Sequence, residues 1–149
     1  MNSDQPFDCV VDASVGIKLF IAEINSDEAH ALFESLAVDP PARFFVPDLF
    51  YVECTNILWK VVKRSGLSVE DVKIFVEQLG QLALTSFPTE SLIVDALDIA
   101  MTHDLTAYDA AYVALAQQLD LPLITADGRL AAKLVGTSHD ARLLSDFPY

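Results

Sequence analysis

Four carboxylates, Asp12, Glu53, Asp109 and Asp127, fall where chemistry is done rather than where solvent is met. Asp12 ends the short apolar run Phe7 to Val11, and Asp127 lies just past Leu123-Ile124-Thr125, so each would stand at the carboxyl end of a strand. Glu53 interrupts a strongly apolar helical stretch, and Asp109 opens another. A carboxylate among apolar neighbours is costly without a partner. Several of them in one partly dry pocket raise one another's pKa and require a positive counter-charge. His30, His103 and His139 are scattered and no cysteines are paired, so the donors are oxygens, which suit a hard divalent cation such as Mg²⁺ and not zinc. Each acid also has a purely structural reading. Thr106-Ala107-Tyr108-Asp109 is close to a capping box, Asp127-Gly128 to a simple turn, and Glu53 to an ion-paired residue on a wet stripe.

The elements that must position these acids follow from periodicity. The uninterrupted apolar run Ala110 to Ala116 predicts a helix covered on most sides, with Thr106 as N-cap and Asp109 in the first turn, where the helix dipole favours negative charge. A second helix is expected from Asp48 to about Arg64, opened by Pro47. On it Glu53 and Asn56 share a face, which neighbouring Val52, Ile57 and Trp59 place at least partly in the interior. Gly66 closes that helix, and Ser68 with Asp71 opens the next, whose inner stripe is Val72, Phe75, Val76 and Leu79. Asn25 and Ser26 offer caps for a helix with Ala29, Leu32 and Phe33 inside. Phe44 to Val46 and Leu84 to Phe87 read as strands, and Thr89 as the cap of a helix with Leu92, Ala96, Leu97 and Ala100 inside. Arg129 to Val135 is a short helix, and Ala141 to Leu144 a fifth, edge strand. This alternation predicts an α/β fold, a mostly parallel sheet of about five strands flanked by helices on both faces. The crevice of such a sheet lies beyond the carboxyl ends of its strands, where Asp12 and Asp127 belong.

Composition narrows the partners. The 149 residues suit one domain spanning 1–149, and the formal charge of −13 excludes a protein that holds nucleic acid through a general basic surface. Any nucleic-acid role must be local and assisted by a cation or a few clustered Lys and Arg. No apolar run is long enough for a membrane span and the start lacks a signal pattern, so a soluble cytoplasmic protein is expected. Cys9 and Cys54 read as core thiols. Just over half of the residues are apolar, which in so acidic a chain points to a buried partner surface.

Taken together, the motifs resemble those of the PIN-domain ribonucleases, in particular the VapC-like toxins of bacterial toxin–antitoxin pairs. VVDASVGIKLF resembles the opening motif through Asp12, Ser14 and Lys18; FVPDLFYVECTNILWK the second through Pro47, Glu53 and Asn56. LTAYDAAYVALAQQLDLPLITADGRLA resembles the third and fourth, and the four in order cover nearly the whole chain. The resemblance implies a PIN fold and a Mg²⁺- or Mn²⁺-dependent endoribonuclease in which Asp12, Glu53, Asp109 and Asp127 bind metal and carry catalysis. It further implies that Ser14, Asn56 and Thr125 are polar helpers that hold the acids or bound water. Lys18 and Arg129 either touch RNA phosphates or are solvated surface charges. A homodimer is expected through the apolar helix faces around Trp59 and Phe75, together with a cognate antitoxin. The alternative is a catalytically silent PIN-like module that only binds protein. A receiver domain is excluded because the third strand ends Ser86-Phe87-Pro88, without a phosphoacceptor Asp, and a haloacid-dehalogenase-type phosphatase because Ser14 stands where a second Asp is needed.

Overall fold

The computed structural model describes residues 5–149. Five strands, β1 (Cys9–Val11), β2 (Phe44–Pro47), β3 (Leu84–Phe87), β4 (Leu123–Thr125) and β5 (Ala141–Leu143), form one parallel sheet in the order β3-β2-β1-β4-β5. The central strands are short and fully buried, as expected where helices cover both faces. Register fixes the site. Val11 pairs with Ile124, and the Asp12 N–H donates to the Ile124 carbonyl at 3.0 Å, so the residues that follow β1 meet the end of β4.

The covering helices are α1 (Ala13–Gly16), α2 (Ser26–Glu34), α3 (Leu49–Ser65), α4 (Val69–Gln81), α5 (Ile93–His103), α6 (Ala107–Leu119) and α7 (Gly128–Leu134). Ala110 to Ala116 of α6 are all buried, because this helix lies against the sheet and is covered in turn by α5. Asp104 takes the left-handed conformation, φ 55°, and turns the chain from α5 into α6. Gly66, φ 72°, closes α3, and the Ser68 hydroxyl caps α4 by accepting from the Asp71 N–H, both as the sequence implies.

Several local expectations are corrected. Pro47 completes β2, paired with Phe87, rather than opening α3. Thr89 does not cap its own helix. Its Oγ1 accepts from the Leu49 N–H at 3.1 Å and donates to Asp48 Oδ1 at 2.6 Å, so it caps α3 across space, while its own segment starts as a 3₁₀ turn. Asn25 makes no side-chain cap for α2, and the inner stripe of α5 uses Ile99 where Leu97 was expected. Leu97 instead joins Ile93, Val94 and Met101 in an exposed apolar stripe. On α3 the inward residues are Phe50, Cys54 and Leu58, leaving Val52, Asn56 and Trp59 exposed. Phe75 turns partly inward against Phe20, ring centroids 5.8 Å apart, as the inner stripe of α4 implies, so of the two aromatics around which a partner face is expected only Trp59 is exposed. Among the described residues no helix is long and apolar enough to cross a membrane.

The seam between α1 and α3 holds Ser14 in place and depends on one missing side chain. A Cβ on Gly16 would lie 2.6 Å from Phe50 Cζ, and Phe50 is fully buried. Gly16→Ala should therefore lower stability by about 1–3 kcal/mol, the usual cost of overpacking, and Phe50→Leu in the same chain should recover part of it. Denaturant unfolding of the three variants checks this; a Gly16→Ala variant as stable as wild type would show that the seam is slack.

Candidate active site

Asp12 is the buried anchor of the carboxyl edge. It begins where β1 ends, is 5% exposed, and receives on Oδ2 the hydroxyl of Ser14 at 2.8 Å and that of Thr125 at 2.8 Å. Those hydroxyls are themselves held. Ser14 Oγ accepts the Ala126 N–H at 3.0 Å, and Thr125 Oγ1 accepts the Asp127 N–H at 3.0 Å. Thus three segments, the start of α1, the end of β4 and the turn into α7, are tied through one carboxylate. Burial pushes the Asp12 pKa up; the two hydroxyl bonds pull it back, and Asp127 adds to the rise.

Asp127 is the N-cap of α7, and its Oδ1 accepts the N–H groups of Arg129 at 2.9 Å and Leu130 at 3.3 Å. Both bonds fall on one oxygen. Asp109 stands in the first turn of α6, whose N-cap Thr106 accepts the Asp109 N–H at 3.1 Å. The reciprocal backbone bond of a full capping box, from the Thr106 N–H to the Asp109 carboxylate, is not formed. Partial burial raises its pKa, Asp12 and Asp127 raise it further, and Thr106 and Lys133 lower it. Lys133 on α7 donates to the Asp104 carbonyl, which ties α7 to the α5–α6 turn and keeps Asp127 beside Asp109. Between them lies a pocket of about 180 Å³ lined in part by Thr106, Asp109, Asp127, Arg129 and Lys133. A second pocket of about 150 Å³, where Leu121, Pro122 and His139 meet, contains none of the four acids.

Glu53 completes the group from α3. Its Oε1 is buried and has no hydrogen-bond partner, and the same is true of the Tyr112 hydroxyl on α6. The two groups lie close enough for the phenol to favour the charged carboxylate, yet no bond of acceptable length and angle joins them. Burial, with Asp12 and Asp109 nearby, pushes the Glu53 pKa up to about 7, while burial, Asp12 and Glu53 keep the Tyr112 phenol protonated. Tyr112 is a site residue that periodicity hides, since it sits inside the apolar run of α6. Its one visible signal is a hydroxyl among alanines and leucines.

The other expected residues separate. Ser14 and Thr125 are at the site, whereas Asn56 is exposed one turn along α3. Lys18 is tied back to Glu23 Oε1 at 3.0 Å and the Ile24 carbonyl at 2.9 Å, so its ammonium secures a loop; Arg129 is exposed at the pocket rim. Two of the histidines do meet, His103 and His139, with ring centroids 5.2 Å apart, but beside α5 and away from the four acids. Among the described residues no three His, Cys, Asp or Glu side chains converge closely enough to enclose one ion. Asp109 and Asp127 line the pocket, while Asp12 acts electrostatically on Glu53 and Asp109 from the buried side. An all-oxygen set with one orphaned buried oxygen fits a hard cation that keeps part of its water shell, as Mg²⁺ does, and does not fit zinc.

A test independent of catalysis follows from Glu53. Its ordinary value is 4.5 and its folded value about 7, so between these the native state binds more protons than the unfolded one. Stability of the metal-free protein should therefore fall as pH rises through that window, and Glu53→Gln should flatten the fall. Denaturant unfolding in chelator at pH 5, 6 and 8 reads both slopes, and a wild-type protein equally stable throughout would refute the buried-carboxylate geometry.

The family model described as PIN domain matches residues 9–134. Ribonuclease VapC3 of Pyrobaculum aerophilum is 35% identical over 126 residues, covering 83% of this chain and 92% of that protein. Among solved structures, PAE2754 from Pyrobaculum aerophilum superposes with TM-score 0.67 at 20% identity, over 97% of this chain and 89% of the other. A toxin-antitoxin complex from Klebsiella pneumoniae superposes with TM-score 0.59 at 17% identity, over 87% and 92%. With the parallel five-stranded sheet and its acidic carboxyl edge in place, this chain belongs to the PIN-domain family and groups there with the VapC ribonucleases.

Proposed function

We propose that this chain is a Mg²⁺- or Mn²⁺-dependent endoribonuclease that hydrolyses RNA phosphodiester bonds, with Asp12, Glu53, Asp109 and Asp127 holding the cation. The observation that carries the reading is the buried, unpartnered Oε1 of Glu53 among three further carboxylates. Nothing on the protein side neutralises that group, and a cation would. The ribonuclease name of its relative VapC3 supports RNA as the substrate class.

The chain's own residues have separable tasks. Ser14 and Thr125 hold the Asp12 carboxylate in one orientation, and the backbone bonds to their hydroxyls keep them from turning away. The N-terminus of α7 fixes Asp127 through Oδ1. Half-burial of Glu53 and Asp109 lowers the local dielectric, which strengthens their attraction for positive charge. When bound, a divalent cation supplies charge for the scissile phosphate and a water of lowered pKa. In this reading Arg129, exposed at the pocket rim, meets a neighbouring phosphate, and Asn56, exposed one turn along α3 from Glu53, orients water or RNA.

The same proposal assigns the chain to the cytoplasm as a single-domain toxin of a type II toxin–antitoxin pair, active as a homodimer. Two exposed apolar surfaces support such partners, the groove of about 440 Å³ between α3 and α4 lined by Trp59, Val62, Val72 and Val76, and the α5 stripe from Ile93 to Met101. The structural likeness to a toxin-antitoxin complex supports an antitoxin as one occupant.

Purified, antitoxin-free protein should cleave single-stranded RNA with millimolar Mg²⁺ or Mn²⁺ and stop in chelator. Asp12→Asn should reduce cleavage by about 100-fold or more, at or beyond the upper range for loss of a supporting partner of a metal ligand. Equal cleavage in chelator, or wild-type cleavage by the variant, would overturn the assignment.

A further inference from the structure

The chain has nine Lys and Arg against 22 acids. Five of the nine make ion pairs, namely Lys18, Arg43, Lys73, Lys133 and Arg142. Among the described residues the remaining four are Lys60, Lys63, Arg64 and Arg129, and the first three crowd the last turns of α3. In so acidic a chain this is the one place where unpaired positive charge accumulates.

Its position on the helix is what gives it meaning. Glu53, Asn56, Lys60 and Arg64 recur at the three-and-four spacing that puts side chains on one face of a helix. That meridian starts at the orphaned carboxylate oxygen of the site and ends about 16 Å away, at a rise of 1.5 Å per residue. Asn56, Lys60 and Arg64 are exposed along it. Beside it runs a groove of about 520 Å³ floored by the half-buried Ile21 and Ile57 and edged by Lys60 and Arg64.

We propose that this face of α3 is a track for the single-stranded RNA that flanks the scissile bond, with Lys60 and Arg64 contacting its phosphates and Ile21 and Ile57 meeting its bases. The proposal rests on the ribonuclease reading and extends it beyond the acidic pocket. It answers how a chain of charge −13 retains a polyanion: unpaired cations lie on the helix face that begins at Glu53 and lead away from the carboxylates. Cations in a last helical turn also suit the helix dipole, which accounts for Lys63 and Arg64 but not for Lys60, more than a turn from the end.

The test uses the full chain and fluorescence anisotropy with a 12-nucleotide oligouridine and a 3-nucleotide one, in Ca²⁺, across a salt series. Each phosphate contact to a single strand contributes about 0.7 to the log–log salt slope, so Lys60→Gln/Arg64→Gln should reduce it by about 1.4. That is a loss of roughly 25-fold in affinity for the 12-mer at 0.1 M salt. The 3-mer, whose two internucleotide phosphates cannot span the pocket, Lys60 and Arg64 together, should lose much less affinity than the 12-mer, and Lys73→Gln on α4 should leave both ligands unaffected. An unchanged slope with wild-type 12-mer binding overturns the track and leaves the ribonuclease reading standing. Loss of both ligands together, or loss of a protein partner with RNA binding intact, also overturns it. If wild type binds neither oligonucleotide and cleaves no RNA in Mn²⁺, the ribonuclease reading and the track fall together.

Discussion

The structure turns on one buried carboxylate, Asp12, bonded through a single oxygen to the hydroxyls of Ser14 and Thr125. The parallel register of β1 and β4 brings these residues together, and the backbone N–H groups of Ala126 and Asp127 lock the hydroxyls in turn. A charge in this position is expensive unless it is bonded and neutralised. Two hydroxyls supply the bonds but no charge. Helix α7, the turn before it and α1 all take their direction from this knot, so the remaining acids are placed relative to it.

What the knot leaves over is repulsion. Asp12, Glu53 and Asp109 all have pKa values raised first by burial and further by neighbouring acids, Asp127 acting on Asp12 and Asp109, and Lys133, the cation that lowers one of them, is also tied to the Asp104 carbonyl. Natural proteins retain such conflict at functional sites and offset it elsewhere. Here the offset is the packed core of α6 against the sheet, where seven consecutive side chains, Tyr112 among them, are buried. The buried Tyr112 hydroxyl on α6 and the Glu53 oxygen on α3 face the same shortage, a donor without an acceptor and an acceptor without a donor, near enough for the phenol to favour the charged carboxylate.

Much of this was legible before the fold was known, for identifiable reasons. Strands as short and buried as Leu123–Thr125, and a run as apolar as Ala110 to Ala116, leave few alternatives, so the α/β class, the parallel sheet and the positions of Asp12, Asp109 and Asp127 were readable from pattern alone. What escaped depends on contacts across space. Thr89 looks like a local cap and caps another helix. Val52 and Trp59 look interior because they are apolar, yet helical phase puts Phe50, Cys54 and Leu58 inside. Lys18 falls within a motif, but its ammonium is committed to Glu23. Tyr112 was invisible as a polar group because it is embedded in an apolar run.

Cation binding, not helix capping, is the role proposed for the acids, and Asp109 separates these two roles most cleanly. Asparagine keeps its shape and removes its charge. Thermal unfolding of wild type and Asp109→Asn, each in chelator and in millimolar Mn²⁺, measures both roles at once. The account predicts that the variant is at least as stable as wild type without metal, because repulsion with Asp12 and Asp127 is relieved, and that the stabilisation by Mn²⁺ seen in wild type is lost or much reduced. A variant that is less stable in chelator by the roughly 0.3–1 kcal/mol of a helix-terminal charge, and that still gains the full stabilisation from Mn²⁺, would contradict it.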